Sequence, residues 1–249
     1  MNETILFIQY FLITLLVVYA LYYVYGMITE RKTAPVLWKD AVKKGKVSRR
    51  LQKALARYGD KERFFNLWFQ TQRLKRENIR GDFAELGVYK GDTAEILHLL
   101  DGERKLHLFD TFEGFCEKDL KVEEGEAASY TRHNFADTSL EKVKKRLNGS
   151  KFVFHKGYFP ETAKAVEDVE FALVSMDADL YNPTKAGLEF FYPRLVPGGV
   201  IIVHDYNPKW SGIMKAVNEF AAAIPETAVP LTDKDSSVMI IKCKDKVKQ

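Results

Sequence analysis

With 249 residues, 46% of them hydrophobic and 29% charged, the chain has the composition of one folded domain plus a short appendage, which excludes general disorder. The net charge of +4 is small and gathered in one early segment, not spread as the broad basic face of a nucleic-acid-binding domain. Two cysteines, Cys116 and Cys243, without Cys-x-x-Cys or zinc-type Cys/His spacing, speak against a disulfide framework and suit a reducing compartment.

The first element is an uncharged run from Ile5 to Ile28. At about 1.5 Å per residue it reaches about 36 Å, enough for the ~30 Å hydrocarbon layer of a bilayer. A cleaved signal peptide should open on Lys or Arg and end at small residues; this run follows Met1, Asn2, Glu3 and Thr4 and ends in Tyr22, Tyr23 and Tyr25. Those tyrosines suit an interfacial aromatic belt. The reading is a transmembrane anchor over residues 1–28. Asn2-Glu3-Thr4 matches a glycosylation acceptor but stands alone.

A basic linker follows over residues 29–58, with Arg31, Lys32, Lys39, Lys43, Lys44, Lys46, Arg49, Arg50 and Lys53. The positive-inside rule places the N-terminus outside and the rest of the chain in the cytoplasm, as a single-pass membrane protein. The linker can also meet anionic headgroups; no nucleic-acid partner is expected.

Residues 59–249 read as one α/β domain. Asp60 opens a helix in which Phe64, Leu67, Trp68 and Leu74 return at helical spacing to about Glu77. Strands are predicted at Phe83–Leu86, Leu106–Phe109, Phe152–His155, Phe171–Met176 and Val200–His204. Helices are predicted at Thr93–Leu100, Leu140–Leu147, Pro160–Val166, Thr184–Leu195 and Ile213–Ala223. That alternation implies right-handed βαβ units and a mostly parallel sheet. Ala228–Leu231 and Ser237–Ile241, with no helix between them, predict an antiparallel hairpin at the C-terminal edge.

The first strand runs into Glu85-Leu-Gly87-Val-Tyr-Lys-Gly91 and then a helix. Glycines at that exit let backbone approach a ligand, and the helix start supplies free N–H groups. The Gly-x-x-x-Gly spacing lacks the tighter three-glycine turn that a dinucleotide needs. Strand two ends in Asp110, placed to accept both ribose hydroxyls of a nucleoside or, more simply, to cap its own turn. Strand four delivers Asp177 and strand five His204 and Asp205, all at carboxyl ends, where open α/β sheets bind ligands. Such a set suits Mg²⁺ or a similar divalent ion that would lower the pKa of a substrate hydroxyl; helix capping is the plainer alternative.

Several blocks together are more specific. Glu85-x-Gly87-x-x-x-Gly91, Phe109-Asp110-Thr-Phe112-Glu113-Gly114, Gly157-Tyr-Phe159 with Thr162, Asp177-Ala-Asp179-Leu-Tyr181 and Tyr192-Pro-Arg-Leu-x-Pro-Gly198-Gly199 through His204-Asp205-Tyr206 occur in order between about 60 and 243. The chain thereby resembles the macrocin O-methyltransferase family of metal-dependent sugar O-methyltransferases. The resemblance implies a class I methyltransferase fold (Rossmann-like), S-adenosylmethionine as methyl donor and a small-molecule or glycan hydroxyl as acceptor. It implies that Glu85 and Gly87 line the methionine part, with Gly91 completing the turn, that Asp110 holds the ribose, and that Asp177 and Asp205 hold the metal. The family's first residue after strand five is normally Asp; here it is His204, a softer ligand. A general base is expected in the loop after strand two, where His133 is the candidate; Lys156, His204 and Tyr206 compete. The loop, Cys116 to Asp137, suits a lid.

The anchor helix lies outside the family pattern and makes a lipid-linked acceptor an option; a homo-oligomer is compatible with the sequence. Two rival readings remain: a tethered module that binds the cofactor without turnover, and a methyltransferase acting on protein or nucleic acid. The base-modifying tetrad Asn/Asp-Pro-Pro-aromatic is absent after strand four.

Overall fold

In the computed structural model, residues 3–243 are described, with only the backbone path for 28–33. Asn2 of the glycosylation-like triplet, and the side chains of Ile28, Arg31 and Lys32, lie outside the described residues. The chain divides into two compact units, Met1–Arg49 and Arg50–Gln249.

In the first unit, helix α1 (Glu3–Thr33) is long and apolar enough over Glu3–Met27 to cross a membrane, and no part of its most apolar stretch is buried. An exposed apolar surface all round a helix separates it from the amphipathic helices that cover a soluble core. Helix α2 (Val36–Lys43) follows.

The second unit is an α/β sandwich. Helix α3 (Arg49–Arg57) leads to α4 (Lys61–Arg76), which begins where Asp60 accepts the Arg63 backbone N–H at 2.9 Å. Strands β1 (Asp82–Leu86), β2 (Leu106–Asp110), β3 (Phe152–Lys156), β4 (Phe171–Met176), β5 (Leu195–Val203), β6 (Val229–Pro230) and β7 (Val238–Ile241) form one sheet. Its order is β3-β2-β1-β4-β5-β7-β6. β1 to β5 pair in parallel, and β7 is antiparallel to both β5 and β6. This is the mostly parallel sheet with an antiparallel C-terminal hairpin that the sequence predicts. Helices α5 (Asp92–Leu100), α7 (Leu140–Leu147), α8 (Tyr181–Arg194) and α9 (Ser211–Ala221) make the crossovers, and the loop after β2 carries the short α6 (Glu117–Leu120).

β4 is buried along its whole length, as a strand covered on both faces must be, and its apolar run Phe171-Ala-Leu-Val reflects that. Phe109, Phe159, Phe171 and Phe191 pack edge-on or stacked, with centroids 5.2–5.6 Å apart, and lock α8 to the sheet. Two elements differ from expectation. Glu161–Val166 is a 3₁₀ run rather than an α-helix. β5 starts at Leu195, where the sequence predicts the end of a helix, and not at Val200, because Phe171 pairs with it.

Candidate functional site: a cavity along the strand tips

The order of the sheet reverses between β1 and β4, and the strand tips there are stitched in a row. Gly87 N–H donates to Phe109 O (3.0 Å), Asp177 N–H to Leu86 O (2.8 Å) and His204 N–H to Met176 O (2.8 Å). Each bond carries the ladder one residue beyond its strand and sets Asp110, Gly87, Asp177 and His204 side by side. They border a cavity of about 560 Å³, which lies within the ~300–1,000 Å³ of cofactor clefts.

On the β1–β2 side the backbone is tightly folded. Gly87 has φ +86°, and a Cβ there would sit 1.8 Å from Asp177 O, so glycine is required on two counts. Asp110 Oδ2 accepts the N–H groups of Val88 (2.7 Å) and Tyr89 (2.8 Å), and Oδ1 accepts that of Phe112 (2.6 Å). The carboxylate thus caps its own turn and also clamps the glycine turn, with its outer face toward the cavity. Glu85 is buried in the cavity wall, its Oε2 without a hydrogen-bond partner. Burial pushes its carboxyl well above the usual range, against the pull of Arg63. Gly91 takes φ +83° as the cap of α5 and packs against Val143 and Leu147; it shapes the turn and does not line the cavity.

On the β4–β5 side charges crowd together. His204 Nδ1 lies 3.1 Å from Asp205 Oδ1 and 3.3 Å from Asp177 Oδ1, without hydrogen-bond alignment to either. Burial alone would lower the imidazole, but the two carboxylates outweigh it and push it up to about 10. Asp177 is drawn well below the usual range despite its burial, by Arg63 of α4 and by His204. Asp179 and Asp205 hold left-handed backbone, φ 59° and 60°, uncommon outside glycine and concentrated at functional sites. Burial and the neighbouring carboxylates raise Asp179 well above its usual range. Ligand atoms of Asp177, His204 and Asp205 fall within 4.8 Å of one another. Neighbouring donors around a divalent ion bound at about 2.1 Å stand about 3 Å apart, so the donor set and its spacing fit such an ion. The negative field that keeps a proton on His204 is the field a cation answers.

The loop after β2 closes over this side. Tyr130 stacks on Phe115 (5.3 Å) and packs against Trp210 (5.3 Å), and all three line the cavity. Asp119 accepts from Asn182 Nδ2 (2.9 Å) and Tyr158 OH (3.0 Å). Glu123 Oε1 accepts the Tyr181 N–H at 2.6 Å and so caps α8, whose own Leu180 cannot. His133 is exposed on this loop and does not line the cavity. Lys156 pairs with Glu113 at 2.5 Å, and Tyr206 OH donates to Asn218 at 2.7 Å; neither lines the cavity.

Several cavity residues escape the sequence reading, Asp179, Tyr58 and Arg63 among them. Asp179 lies inside a quoted motif but is given no role. Tyr58 precedes the predicted domain start; its OH lies 2.8 Å from Thr93 Oγ1. Arg63 shares the buried face of α4 with Leu67, Thr71 and Leu74, and a charge on that stripe is the signal that could have revealed it.

The family model described as macrocin O-methyltransferase (TylF) matches residues 38–240. Among curated proteins, the chain is 27% identical over 157 residues to the 8-demethyl-8-(2,3-dimethoxy-alpha-L-rhamnosyl)-tetracenomycin-C 4'-O-methyltransferase of Streptomyces olivaceus, covering 58% of this chain and 60% of that one. It is 29% identical over 160 residues to the mycinamicin III 3''-O-methyltransferase of Micromonospora griseorubida, covering 58% and 63%. The chain therefore spans about three fifths of the length of these relatives. The fold is that of the O-methyltransferase NovP (TM-score 0.64, 23% identity, 74% of this chain and 81% of that chain) and of the calicheamicin methyltransferase CalS11 (0.57, 23%, 77% and 90%). With the family model matching more than four fifths of its length, the chain belongs to the macrocin O-methyltransferase (TylF) family.

Proposed function

We propose that this chain transfers a methyl group from S-adenosylmethionine to a hydroxyl of a sugar-bearing small molecule. The carrying observation is that Glu85, Gly87, Asp110, Asp177, Asp179, His204 and Asp205 border one cavity at the reversal of strand order. The family match and the sugar O-methyltransferases it resembles supply the reaction class.

Glu85 and Gly87 line the place of the methionine part, and Asp110, already rigid, presents lone pairs to the ribose hydroxyls. A divalent cation held by Asp177, His204 and Asp205 would supply Lewis acidity, lowering the pKa of the acceptor hydroxyl. Asp179 is the proton acceptor within the cavity: burial and the neighbouring carboxylates raise its affinity for a proton. Tyr130 and Trp210 offer flat apolar faces to an acceptor ring, and the docked loop keeps bulk water from the reacting oxygen. Methyl transfer is then an in-line displacement at sulfonium carbon, with orientation supplying much of the rate.

The domain reading accompanies this: an anchor over 1–28, a basic linker over 29–58 and a methyltransferase domain over 59–249. Helix α1 spans the membrane with the domain on the cytoplasmic side, which brings lipid-linked sugars within reach as acceptors. The experiment is to incubate membranes carrying the chain with methyl-labelled S-adenosylmethionine and to follow label into lipid, polymer and small-molecule fractions. Label in the lipid fraction supports the lipid-linked acceptor; label confined to small molecules supports the reaction and removes that acceptor. His204, in place of the family's Asp, favours one rival, a cofactor-binding module without turnover; cofactor binding with no label in any fraction would establish it.

A further inference from the structure

One charged side chain lies on the buried stripe of α4. Arg63 has 7% of its surface exposed and stands in the cavity wall. A guanidinium has five N–H donors in a rigid fork. Nη1 donates to Asp177 Oδ2 at 2.7 Å, and no other side-chain hydrogen bond engages the group. None of its nitrogens is an enclosed, unpaired donor, so its remaining N–H groups face the cavity.

Glu85 is its counterpart. The residue is 2% exposed, lies in the same wall and leaves Oε2 without a partner. Both line the same cavity, and the Arg63 charge opposes the rise of the Glu85 carboxyl. A guanidinium with N–H groups open to the cavity and a buried carboxyl with an unpartnered oxygen thus line one wall, and the enclosed Glu85 oxygen is costly to leave unpaired. An α-amino-acid zwitterion is complementary in charge: carboxylate toward Arg63, and ammonium toward Glu85, whose raised carboxyl a cation draws back to the ionised form. A ligand with one charge satisfies half of it.

Resting on the reading that the cavity takes S-adenosylmethionine, we propose that Arg63 binds the α-carboxylate of the methionine end. One edge of its fork stays on Asp177 while another serves the ligand, which fits arginine and not lysine. Arg63 then joins the donor's amino-acid end to the Asp177–His204–Asp205 cluster: the group that receives the carboxylate is the group that holds Asp177 in place. The plainer alternative is that Arg63 only neutralises Asp177.

Titration calorimetry on the full chain separates the two. The ligands are S-adenosylhomocysteine, its decarboxylated analogue, which keeps the ammonium, and 5′-methylthioadenosine, which lacks the amino-acid end. Arg63→Met should weaken S-adenosylhomocysteine roughly 10- to 100-fold, the scale of a charge-assisted pair, and leave the other two within about twofold. Equal weakening of S-adenosylhomocysteine and the decarboxylated analogue, with methylthioadenosine unchanged, overturns the proposal. If Arg63→Met loses all three ligands, Arg63→Lys, which keeps a cation beside Asp177, must still show the selective loss; absence of selectivity there overturns it too. Wild-type chain that binds none of the three contradicts the donor reading itself.

Discussion

At the tips of β1 and β2, Asp110 takes three backbone N–H groups at 2.6–2.8 Å. At the tips of β4 and β5, His204 Nδ1 sits against two carboxylates with no aligned hydrogen bond. The first side is self-satisfied and rigid, a frame that meets a ligand without rearranging. The second stores electrostatic stress that a cation or a proton relieves. Under the proposed reaction, positioning and chemistry fall to different strands of one sheet, and each side fails in its own way.

Breaking the frame should have the largest effect. Gly87→Val places a side chain into Asp177 O at φ +86°; a loss of about 3 kcal/mol or more is expected, with donor binding abolished. Thermal unfolding and calorimetry measure it, and a variant of native stability would show that β1 and β4 can part there. On the other side, Asp177→Ala leaves the Arg63 guanidinium buried without its partner. We expect about 3 kcal/mol of destabilisation and at least a hundredfold loss of turnover, read from denaturant melts and methyl-transfer assays.

A gentler change sharpens the contrast. His204→Asp adds a hard carboxylate to the cluster, so Mg²⁺ should bind about tenfold tighter by calorimetry while S-adenosylhomocysteine affinity stays within about twofold. Mg²⁺ binding no tighter than in the wild-type chain would mean that position 204 does not ligate the cation.

The smallest effect lies away from the cavity. His107 spans Asp82 (3.1 Å) and His155 (3.0 Å), and burial holds His155 down at about 4 from 6.5. Its folded value lies below its unfolded value, so the unfolded chain binds the extra proton between pH 4 and 6.5. The stability from neutral His155 is fully present above pH 6.5 and is lost as pH falls toward 4. The unfolding temperature should drop by a few degrees across that window, and less in His155→Leu.

Much of this was legible in the sequence. Apolar runs at strand length and punctuation at Asp177 and His204 mark β4 and the second half of β5, because a parallel strand buried on both faces is mostly apolar; β1 and β2, which bury Glu85 and His107, are marked by the turns at Gly87 and Asp110. What escaped depends on long-range partners. Glu123 caps α8 from 58 residues away and Asp119 reaches Asn182 from 63, and no local pattern announces either. Leu195 reads as the end of a helix and 196–199 fall in no predicted element, yet pairing with Phe171 extends β5 back to Leu195. Arg63 reads as an ordinary helix charge until Asp177, 114 residues later, arrives beside it.

Binding of S-adenosylhomocysteine to the full chain by titration calorimetry, in wild type and Asp110→Ala, tests the central claim most directly. The account predicts one site per chain, with affinity weakened at least tenfold when the Asp110 carboxylate is removed. No binding to the wild type at millimolar ligand, or equal binding by both proteins, would contradict it.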